Sequence, residues 1–480
     1  MEEITKRIME IISISPIDYG DVRIVEEKVE TIKVKDGRLE AIIRSENRGF
    51  GIRILKNGAW GFASSGKLEK KEIEKVVKRA REIADASSFV KGRYAELSEL
   101  MPQKGNYTTK IKKDPFLVPL EEKISLLVES TRTMKKVKGI RTAKGMLYAK
   151  RIKKIFANNE GSYIVQEIIF TGGGIEAWAI ERNEAQRRSY PCGFGNFSQR
   201  GYEFIEEMNL LKNAEKTAEE ARMLLSAKPC PEEETTVVLG SNQMVLQVHE
   251  SVGHPSELDR VLGTEVSYAG GSFLGLRDQG NLKYAAEIVS ITADATLEGG
   301  LGSFGWDDEG VPAQRFYIIE NGVFKNFLTS RETAAAIGER SNGTMRAGGW
   351  ARIPLIRMTN INLEPGDKSF EEIIGEVNNG VYMETNKSWS IDNKRLNFHF
   401  GTEIAWRIKK GRLTEVYKNP VYTGITPVFW NSCDGVGDKN TMILWGVPNC
   451  GKGEPGQSME VGHRTPVARF RNVKVGSTRA

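Results

Sequence analysis

Two histidines placed five residues apart constrain the fold of this chain more than any other feature. The stretch is His249-Glu250-Ser251-Val252-Gly253-His254, and it holds two of only four histidines in 480 residues. At ~3.6 residues per turn, positions five apart lie roughly 140° apart around a helix, so a straight α-helix cannot aim both rings at one point. The helix must therefore be widened by a π-bulge or end between the two histidines.

The residues around the second histidine favour the helix ending. Gly253 precedes His254 and Pro255 follows it. A residue before proline is pushed away from helical dihedral angles, and glycine adopts non-helical angles at little cost. We therefore predict a helix that is capped by Ser241, runs to about Val252 and releases His254 at its exit.

Two histidines and a carboxylate in one short stretch are typical of a catalytic metal site. Neutral imidazole is the commonest protein ligand for zinc, and a catalytic zinc takes three protein ligands and a water molecule. A glutamate beside the ion can take a proton from that water, as in the H-E-x-x-H metalloproteases, whose motif is one residue shorter. Such a short pattern also arises by chance, so the rest of the sequence must support the interpretation.

Motifs spread over essentially the whole chain resemble the TldD branch of the TldD/PmbA metallopeptidase family. They are RGFGIRILKNGAWGFASS in the front half, then HESVGHPSELDR, WDDEGVPAQRFYIIENGVFKNFL, RMTN at residues 357–360 and the closing NCGKGEPGQSMEVG. The paired TldE (PmbA) branch lacks the metal motif. The resemblance implies that His249 and His254 bind zinc with Cys450, and that Glu250 is the catalytic base. Spacing alone does not favour Cys450 over Cys433.

Other residues near these motifs are open to two interpretations. Glu257 and Asp259 match acidic positions of the family and could hydrogen-bond the ligand histidines, because metal-bound histidines usually donate their second ring N–H to a carboxylate. They could equally cap or solvate the segment 256–262. His399 and His463 do not match family histidines, so we predict that both are structural. The chain departs from the family pattern at Pro255 and by two extra residues, Glu454 and Pro455.

The resemblance also implies a function and partners. We expect zinc-dependent hydrolysis of short or unfolded peptides, which enter a dimer-enclosed cavity as extended strands with little sequence selectivity. The expected partner is a second copy of the chain or a TldE-like subunit. The alternative is a non-catalytic peptide-binding or regulatory subunit with a structural metal. Family labels that mention DNA gyrase modulation describe a function of this second kind. Glu250 argues against the alternative, because a structural site needs no general base.

The hydrophobic periodicity predicts an α+β fold with two domains. Residues 1–228 should form an antiparallel sheet with helices, and residues 229–480 a strand-rich domain that carries the metal site. The boundary is placed at Lys228-Pro229-Cys230-Pro231, because two prolines end the helix predicted over residues 202–225. The N-terminal strands, 22–34, 39–44 and 49–55, are separated by turns that include Asp36-Gly37 and Asn57-Gly58. Residues 307–309 are predicted to form a polar turn rather than a metal cluster.

Charge and composition exclude several classes of protein. The net charge of +6 comes from 69 basic and 63 acidic residues spread along the chain, which makes nucleic acid an unlikely partner. No apolar run approaches the ~20 residues that cross a bilayer, and residues 1–12 form an amphipathic helix rather than a signal peptide. The four cysteines show no C-x-x-C spacing. We expect a cytoplasmic protein.

Overall fold

The computed structural model describes residues 2–14, 16–90, 94–267, 270–453 and 456–478. Within these ranges the chain is a mixed α+β protein built on two eight-stranded sheets, which confirms the predicted fold class. Among the described helices, none combines the length and the apolar character that a membrane crossing requires.

The first sheet is built from long antiparallel strands. Its strands are β1 (Tyr19–Lys35), β2 (Arg38–Lys56), β3 (Ala59–Ser65), β4 (Lys104–Thr108), β5 (Ile140–Asn158), β6 (Tyr163–Glu181), β7 (Glu184–Tyr190) and β8 (Asn196–Ser198). The helices of this half are α1 (Glu2–Ile12), α2 (Lys70–Ser88), α3 (Leu120–Lys136), α4 (Glu203–Glu207) and α5 (Leu210–Ser226). The strand order is β3-β2-β1-β5-β6-β4, and β7 and β8 both pair with β6. Only the β4–β6 pairing is parallel among the described strands of this sheet.

Most local predictions for this half are confirmed. Asp36-Gly37 and Asn57-Gly58 form the two hairpin turns, and all four residues have positive φ, as two-residue hairpin turns of this type require. Residues 39–44 and 49–55 belong to one continuous strand, β2, rather than two. The predicted helix over residues 202–225 is also wrong in one respect. Asn209 has a φ of 50°, a left-handed conformation that ends α4 and starts α5.

The second half is strand-rich, as predicted. Its strands are β9 (Lys228–Pro229), β10 (Glu233–Leu239), β11 (Ile291–Asp294), β12 (Arg315–Glu320), β13 (Val323–Phe324), β14 (Met345–Arg346), β15 (Leu355–Ile356), β16 (Ile361–Leu363), β17 (Asn379–Ile391), β18 (Asn397–Lys409), β19 (Arg412–Lys418), β20 (Pro420–Ile425), β21 (Cys433–Val436), β22 (Ile443–Lys452), β23 (Gln457–Thr465) and β24 (Ala468–Ser477). The α-helices are α6 (Ser241–Val248), α7 (Leu258–Val261), α8 (Arg331–Ala335), α9 (Phe370–Gly375) and α10 (Thr426–Asn431).

The second sheet supports the helix that carries the motif. Its strand order is β17-β10-β24-β20-β18-β19-β9, with β21 paired to β24, and α6 follows directly from the buried strand β10. A four-stranded sheet, β13-β12-β11-β16, and the two-stranded ribbons β14–β15 and β22–β23 lie beside it. Cys450 lies on β22. The helix α10 was not predicted.

The acidic stretch at residues 307–309 joins the two halves. It is a turn, as predicted, because the Asp307 carboxylate accepts hydrogen bonds from the backbone N–H groups of Glu309 and Val311, both at 2.9 Å. All three acidic side chains are buried, however. Lys154 of β5 lies 2.6 Å from Asp308, and Arg53 of β2 lies 3.3 Å from Glu309. Each of these bonds links the first sheet to the second half of the chain.

Candidate metal centre

A short π-helical segment resolves the spacing of the two motif histidines. The α-helix α6 ends at Val248, residues His249–Gly253 form a π-helix, and His254–Ser256 form a 3-10 turn. The backbone N–H of His254 donates to the carbonyl of His249, five residues earlier, which is the π-helical pattern. The widened turn places both rings on one side. The predicted helix ending at Val252 was therefore wrong, and the π-bulge alternative is the one that the chain adopts.

The start of this helix also differs from the prediction. Gly240, not Ser241, is the capping residue. The Ser241 hydroxyl instead donates to the carbonyl of Thr465 at 2.6 Å and accepts from the indole N–H of Trp445 at 2.8 Å. Ser241 thus ties the first turn of α6 to β22 and β23, the ribbon that carries Cys450.

Buried polar side chains hold the π-helical segment. The Ser251 hydroxyl donates to the carbonyl of Gln247 at 2.5 Å and accepts from the indole N–H of Trp430 at 2.8 Å. The Tyr284 hydroxyl donates to the carbonyl of Ser251. Gly253 is needed for space, since a Cβ at this position would lie 2.0 Å from the sulfur of the buried Met358. These contacts come from distant parts of the chain.

The three predicted metal ligands lie together. The nearest ligand atoms of His249, His254 and Cys450 all lie within 4.8 Å of one another, and the three side chains are buried. The Cys450 sulfur is 3.6 Å from Nε2 of His254. The two motif rings are nearly perpendicular, with centroids 4.9 Å apart. A single small ion between these atoms can therefore contact all three residues.

The hydrogen bonds of His249 fix its tautomer, and they involve His463. Nδ1 of His463 lies 3.0 Å from the carbonyl of Ile361, which can only accept, so this nitrogen carries the proton. Burial and the neighbouring His249 hold the pKa of His463 well below its ordinary value, so its Nε2 is an acceptor. Nδ1 of His249 lies 2.9 Å from that Nε2 and must donate to it. Nε2 of His249 therefore keeps a lone pair for a metal.

A carboxylate fixes the tautomer of the second motif histidine. Nδ1 of His254 donates to Glu257 at 3.0 Å, which leaves the lone pair of Nε2 directed towards Cys450. Burial opposes the ionisation of Glu257. The charges of Lys452, 3.4 Å away, and of Arg260, 2.5 Å away, nevertheless hold the pKa of Glu257 well below its ordinary value. A charged carboxylate strengthens the imidazole as a ligand.

Asp259 contacts this network through Lys452. The Lys452 ammonium lies 2.7 Å from the Asp259 carboxylate and donates to the carbonyl of Ile356, also at 2.7 Å. Burial raises the pKa of Asp259. No hydrogen bond joins Asp259 to a histidine within the described ranges. Of the two acidic residues predicted near the ligands, Glu257 touches one and Asp259 does not.

The environment of Cys450 favours its thiolate. Burial alone would raise the pKa of the thiol, but His254 and Arg357 outweigh that effect, and the pKa lies below its ordinary value. The Arg357 guanidinium, which is fully buried, also donates to the backbone carbonyl of Cys450. Thiolate is the form that binds a metal. Burial lowers the pKa of both His249 and His254, so the two imidazoles are neutral.

The carboxylate of Glu250 forms an ion pair beside the three ligands. Nη1 of Arg395 lies 2.6 Å from Oε2 of Glu250, and the Glu250 side chain is 9% exposed. Arg395 lies between β17 and β18 and has a φ of 63°. Its backbone carbonyl accepts from the Thr426 hydroxyl at 2.9 Å. Thr426 thus holds the backbone of Arg395, and Glu250 holds its guanidinium.

These residues fit zinc better than other common protein-bound ions. Two neutral imidazoles and one thiolate are donors that zinc favours, whereas magnesium and calcium require oxygen ligands. Three protein ligands also leave a position for water, as in catalytic zinc sites. A carboxylate beside such an ion suits hydrolysis, because it can accept a proton from the water.

Sequence reasoning missed several residues of this centre. His463 was expected to be purely structural, yet it hydrogen-bonds the first motif histidine. Arg395 and Lys452 were not singled out, although Lys452 stands only two residues after Cys450. His399 is exposed and lies on β18, outside the cluster. Glu454 and Pro455, the two extra residues, lie outside the described ranges.

Family models match three consecutive parts of the chain. The model described as PmbA/TldA metallopeptidase domain 1 matches residues 20–84, the central domain matches residues 113–225, and the C-terminal domain matches residues 232–477. The last match contains all the residues of the metal centre.

Curated proteins are similar over nearly the full length. A metalloprotease of Methanocaldococcus jannaschii is 33% identical over 447 residues, which are 93% of this chain and 94% of that protein. A zinc metalloprotease TldD homolog of Saccharolobus solfataricus is 25% identical, over 95% of this chain and 96% of that protein. A metalloprotease TldD homolog of Haemophilus influenzae is 25% identical, over 98% and 95% respectively.

Two solved structures have the same fold over 99% of both chains. A protein of Thermotoga maritima described as a modulator of a DNA gyrase has a TM-score of 0.78 at 20% identity. TldE of Thermococcus kodakarensis has a TM-score of 0.73 at 18% identity.

Proposed function

This chain belongs to the PmbA/TldD family of metallopeptidases, and we propose that it is a TldD-type zinc peptidase that cleaves short or unfolded peptides with little sequence selectivity. One observation carries the proposal. The buried cluster of His249, His254 and Cys450 is accompanied by Glu250, which follows His249 in the chain and whose charge acts on the pKa of His249. A protein that only stored a metal would gain nothing from this carboxylate.

The roles of the residues follow from their contacts. His249, His254 and Cys450 would hold the zinc, which when bound would act as a Lewis acid towards a water molecule and the scissile carbonyl. Glu250 would accept the proton of the attacking water and deliver it to the departing amine nitrogen. Arg395 orients the Glu250 carboxylate, while His463 and Glu257 orient the two imidazoles. Each of these contacts is buried or nearly so, which limits reorganisation during the reaction.

The remaining parts of the proposal concern substrate form, partners and location. Extended peptides bound through their backbones would explain weak sequence selectivity. The active assembly is a homodimer or a heterodimer with a TldE-like subunit. A cytoplasmic location is supported by Cys192, Cys230, Cys433 and Cys450, which are all unpaired and buried.

Zinc content and peptide cleavage, measured together, test this function. We expect about one zinc per chain in the wild type and in Glu250→Gln, and a loss of zinc in His249→Ala and Cys450→Ala. Of these four proteins, only the wild type should cleave a mixture of short peptides. Cys433→Ala is the matched control for Cys450→Ala, because it removes a buried thiol outside the cluster.

The same measurement separates the peptidase from the alternative function. A wild type that binds zinc and peptides but cleaves none would be the non-catalytic subunit with a structural metal. If Glu250→Gln cleaved peptides as fast as the wild type, the assignment of Glu250 as the base would fail. A wild type without metal would remove the peptidase proposal altogether.

A further inference from the structure

A cavity of about 280 Å³ lies between the two halves of the chain, next to the metal centre. One wall is formed by β1, β5 and β6 of the first sheet. The other wall is formed by the acidic turn, by residues 346–349 and by the ribbon β22–β23. Ligand pockets in proteins occupy ~300–1,000 Å³, so this space suits one small chemical group rather than a large cofactor.

The cavity and the metal centre share the ribbon β22–β23. Cys450 of β22 is paired in register with Met459 of β23, and Met459 lines the cavity. Side chains of directly opposed residues lie on the same face of an antiparallel pair. Pro448 and Ser458 also line the cavity. One ribbon therefore supplies both a metal ligand and part of the cavity wall.

Most of the charges in the cavity wall neutralise one another. The basic residues are Arg23, Lys150, Lys154 and Arg346, and the acidic residues are Glu27, Asp307, Asp308 and Glu460. The Lys150 ammonium lies 3.0 Å from both Glu27 and Glu460, and Lys154 lies 2.6 Å from Asp308. The Asp307 carboxylate accepts hydrogen bonds from the backbone N–H groups of Glu309, Val311 and Met345. The two lysines are thus paired with carboxylates of the wall.

The two arginines of the wall are held by backbone carbonyls rather than by ion pairs. The Arg346 guanidinium donates to the backbone carbonyls of Glu460 at 2.7 Å and Met358 at 3.0 Å. Arg23 donates to the carbonyl of Arg352 at 2.6 Å, and its buried Nε has no partner. Among the described residues, no carboxylate lies within 4.0 Å of either guanidinium.

Neither arginine has a described carboxylate in contact, although Asp308 and Asp21 act on Arg23, and Glu460 acts on Arg346, from farther away. Burial lowers the pKa of Arg23, and it lowers the pKa of Arg346 to about 10, so both remain charged at neutral pH. A buried charge without a counter-ion is costly, and a guanidinium binds a carboxylate through two parallel hydrogen bonds. The empty space beside these groups is thus suited to a carboxylate.

We propose that this cavity is a subsite for a carboxylate of the bound peptide, held by Arg346 with Arg23 behind it. The carboxylate is either the C-terminus of the peptide or an aspartate or glutamate side chain. The proposal rests on the proposed peptidase function and adds to it a preference for acidic groups next to the scissile bond.

Matched peptides test the subsite during cleavage. The probes are N-acetyl pentaalanine with a free C-terminus, the same peptide as a C-terminal amide, and amides with aspartate or asparagine at each position in turn. We expect a KM roughly tenfold lower for carboxylate peptides than for their neutral partners, as a charge-assisted hydrogen bond provides. In Arg346→Gln this ratio should fall to about one. The two series distinguish a terminal carboxylate from an acidic side chain.

Binding to the Glu250→Gln variant tests the subsite without cleavage. The dissociation constants of the same peptides, measured by calorimetry, should show the same carboxylate preference, and Arg346→Gln in this background should remove it. Arg81→Gln is the matched control, because Arg81 donates to a backbone carbonyl far from the cavity. Ser458→Glu offers a second route, since a tethered carboxylate in the cavity wall should also abolish the preference.

The outcomes separate this inference from the peptidase function. Cleavage with equal KM values for acidic and neutral peptides would overturn the subsite and leave the peptidase intact. A carboxylate preference in binding without any cleavage would support the subsite and reject the peptidase. If Arg346→Gln melts well below the wild type, its loss of the carboxylate preference has no value as a test. Ser458→Glu and Arg346→Lys then test the subsite in its place. A carboxylate preference that survives Ser458→Glu contradicts the proposal.

Discussion

Arg395 holds the carboxylate of Glu250, with Nη1 of the arginine 2.6 Å from Oε2 of the glutamate. If Glu250 is the base, its orientation depends on this pair. We predict that Arg395→Ala lowers kcat/KM by roughly 10- to 100-fold, the value of one charge-assisted hydrogen bond, and leaves zinc content unchanged. Steady-state kinetics with elemental analysis check this outcome.

Two further variants sharpen the test of Arg395. Arg395→Lys keeps the charge and should retain more activity than Arg395→Ala. Arg412→Ala removes an exposed arginine from β19 and should leave kcat/KM unchanged. An increase in activity on removal of Arg395 would mean that the arginine blocks the base rather than orienting it.

His463 should affect zinc affinity although it is not a ligand. It accepts the Nδ1 proton of His249 and fixes the tautomer that binds metal. Removal of such a partner typically lowers metal affinity by roughly 10- to 100-fold, which we expect for His463→Ala in competition with a chelator. His463→Gln should lose less, because its amide can both accept from His249 and donate to Ile361. An unchanged affinity in both variants, with His399→Ala as reference, would reject this role.

Gly253 and Met358 should be coupled in stability. A Cβ on Gly253 would lie 2.0 Å from the sulfur of Met358, so Gly253→Ala should cost roughly 1–3 kcal/mol by overpacking. Met358→Ala removes the obstacle, so the double variant should be more stable than the sum of the two single effects. Urea unfolding of all four proteins measures this coupling. Strict additivity would show that the backbone moves instead.

The buried ion pair of Glu30 and Lys123 should make stability depend on pH. Their charged atoms lie 2.5 Å apart, and both side chains are about 95% buried, at 5% and 4% exposure. Burial opposes ionisation, but Lys123 and Arg44 hold the pKa of Glu30 below its ordinary value. The stabilisation is therefore complete above the unfolded-state pKa of about 4.3 and is lost as pH falls through the lower pKa of the folded state.

Substitution of Glu30 should reveal that dependence. Loss of one partner from a buried pair costs roughly 3–5 kcal/mol, so Glu30→Gln should unfold at a lower urea concentration at pH 7. The difference from the wild type should shrink as the pH is lowered from 5 towards 3. A difference that stays constant over this range would contradict the role of the charge. Glu46→Gln, which alters an exposed pair with Lys28, is the control.

The sequence predicted those parts of the fold that depend on neighbouring residues. Asp-Gly and Asn-Gly pairs accept positive φ at both positions, as Asp36-Gly37 and Asn57-Gly58 do. Both hairpin turns could therefore be identified from the sequence. The amphipathic pattern of residues 1–12 likewise indicated α1 to within one residue. Asn209 also takes a positive φ, but nothing beside it distinguishes it from an asparagine inside a helix.

The centre was harder to predict because its geometry depends on distant residues. The π-helix requires Tyr284 and Trp430, which contact Ser251 from 33 and 179 positions away. A local rule for the residue before proline favoured a helix end, and these tertiary contacts override it. His463 stands opposite Trp445 in the ribbon, and it reaches His249 from 214 positions away.

The place of β24 in the second sheet determines when the protein can bind metal during its synthesis. This last strand pairs with β10, β20 and β21, so it lies inside the sheet from which the motif helix starts. His249 and His463 are 214 positions apart, and His254 and Cys450 are 196 apart. Residues up to 450 must therefore be synthesised before the three ligands can meet. A chain that stops before this residue would contain the histidine motif but no assembled centre.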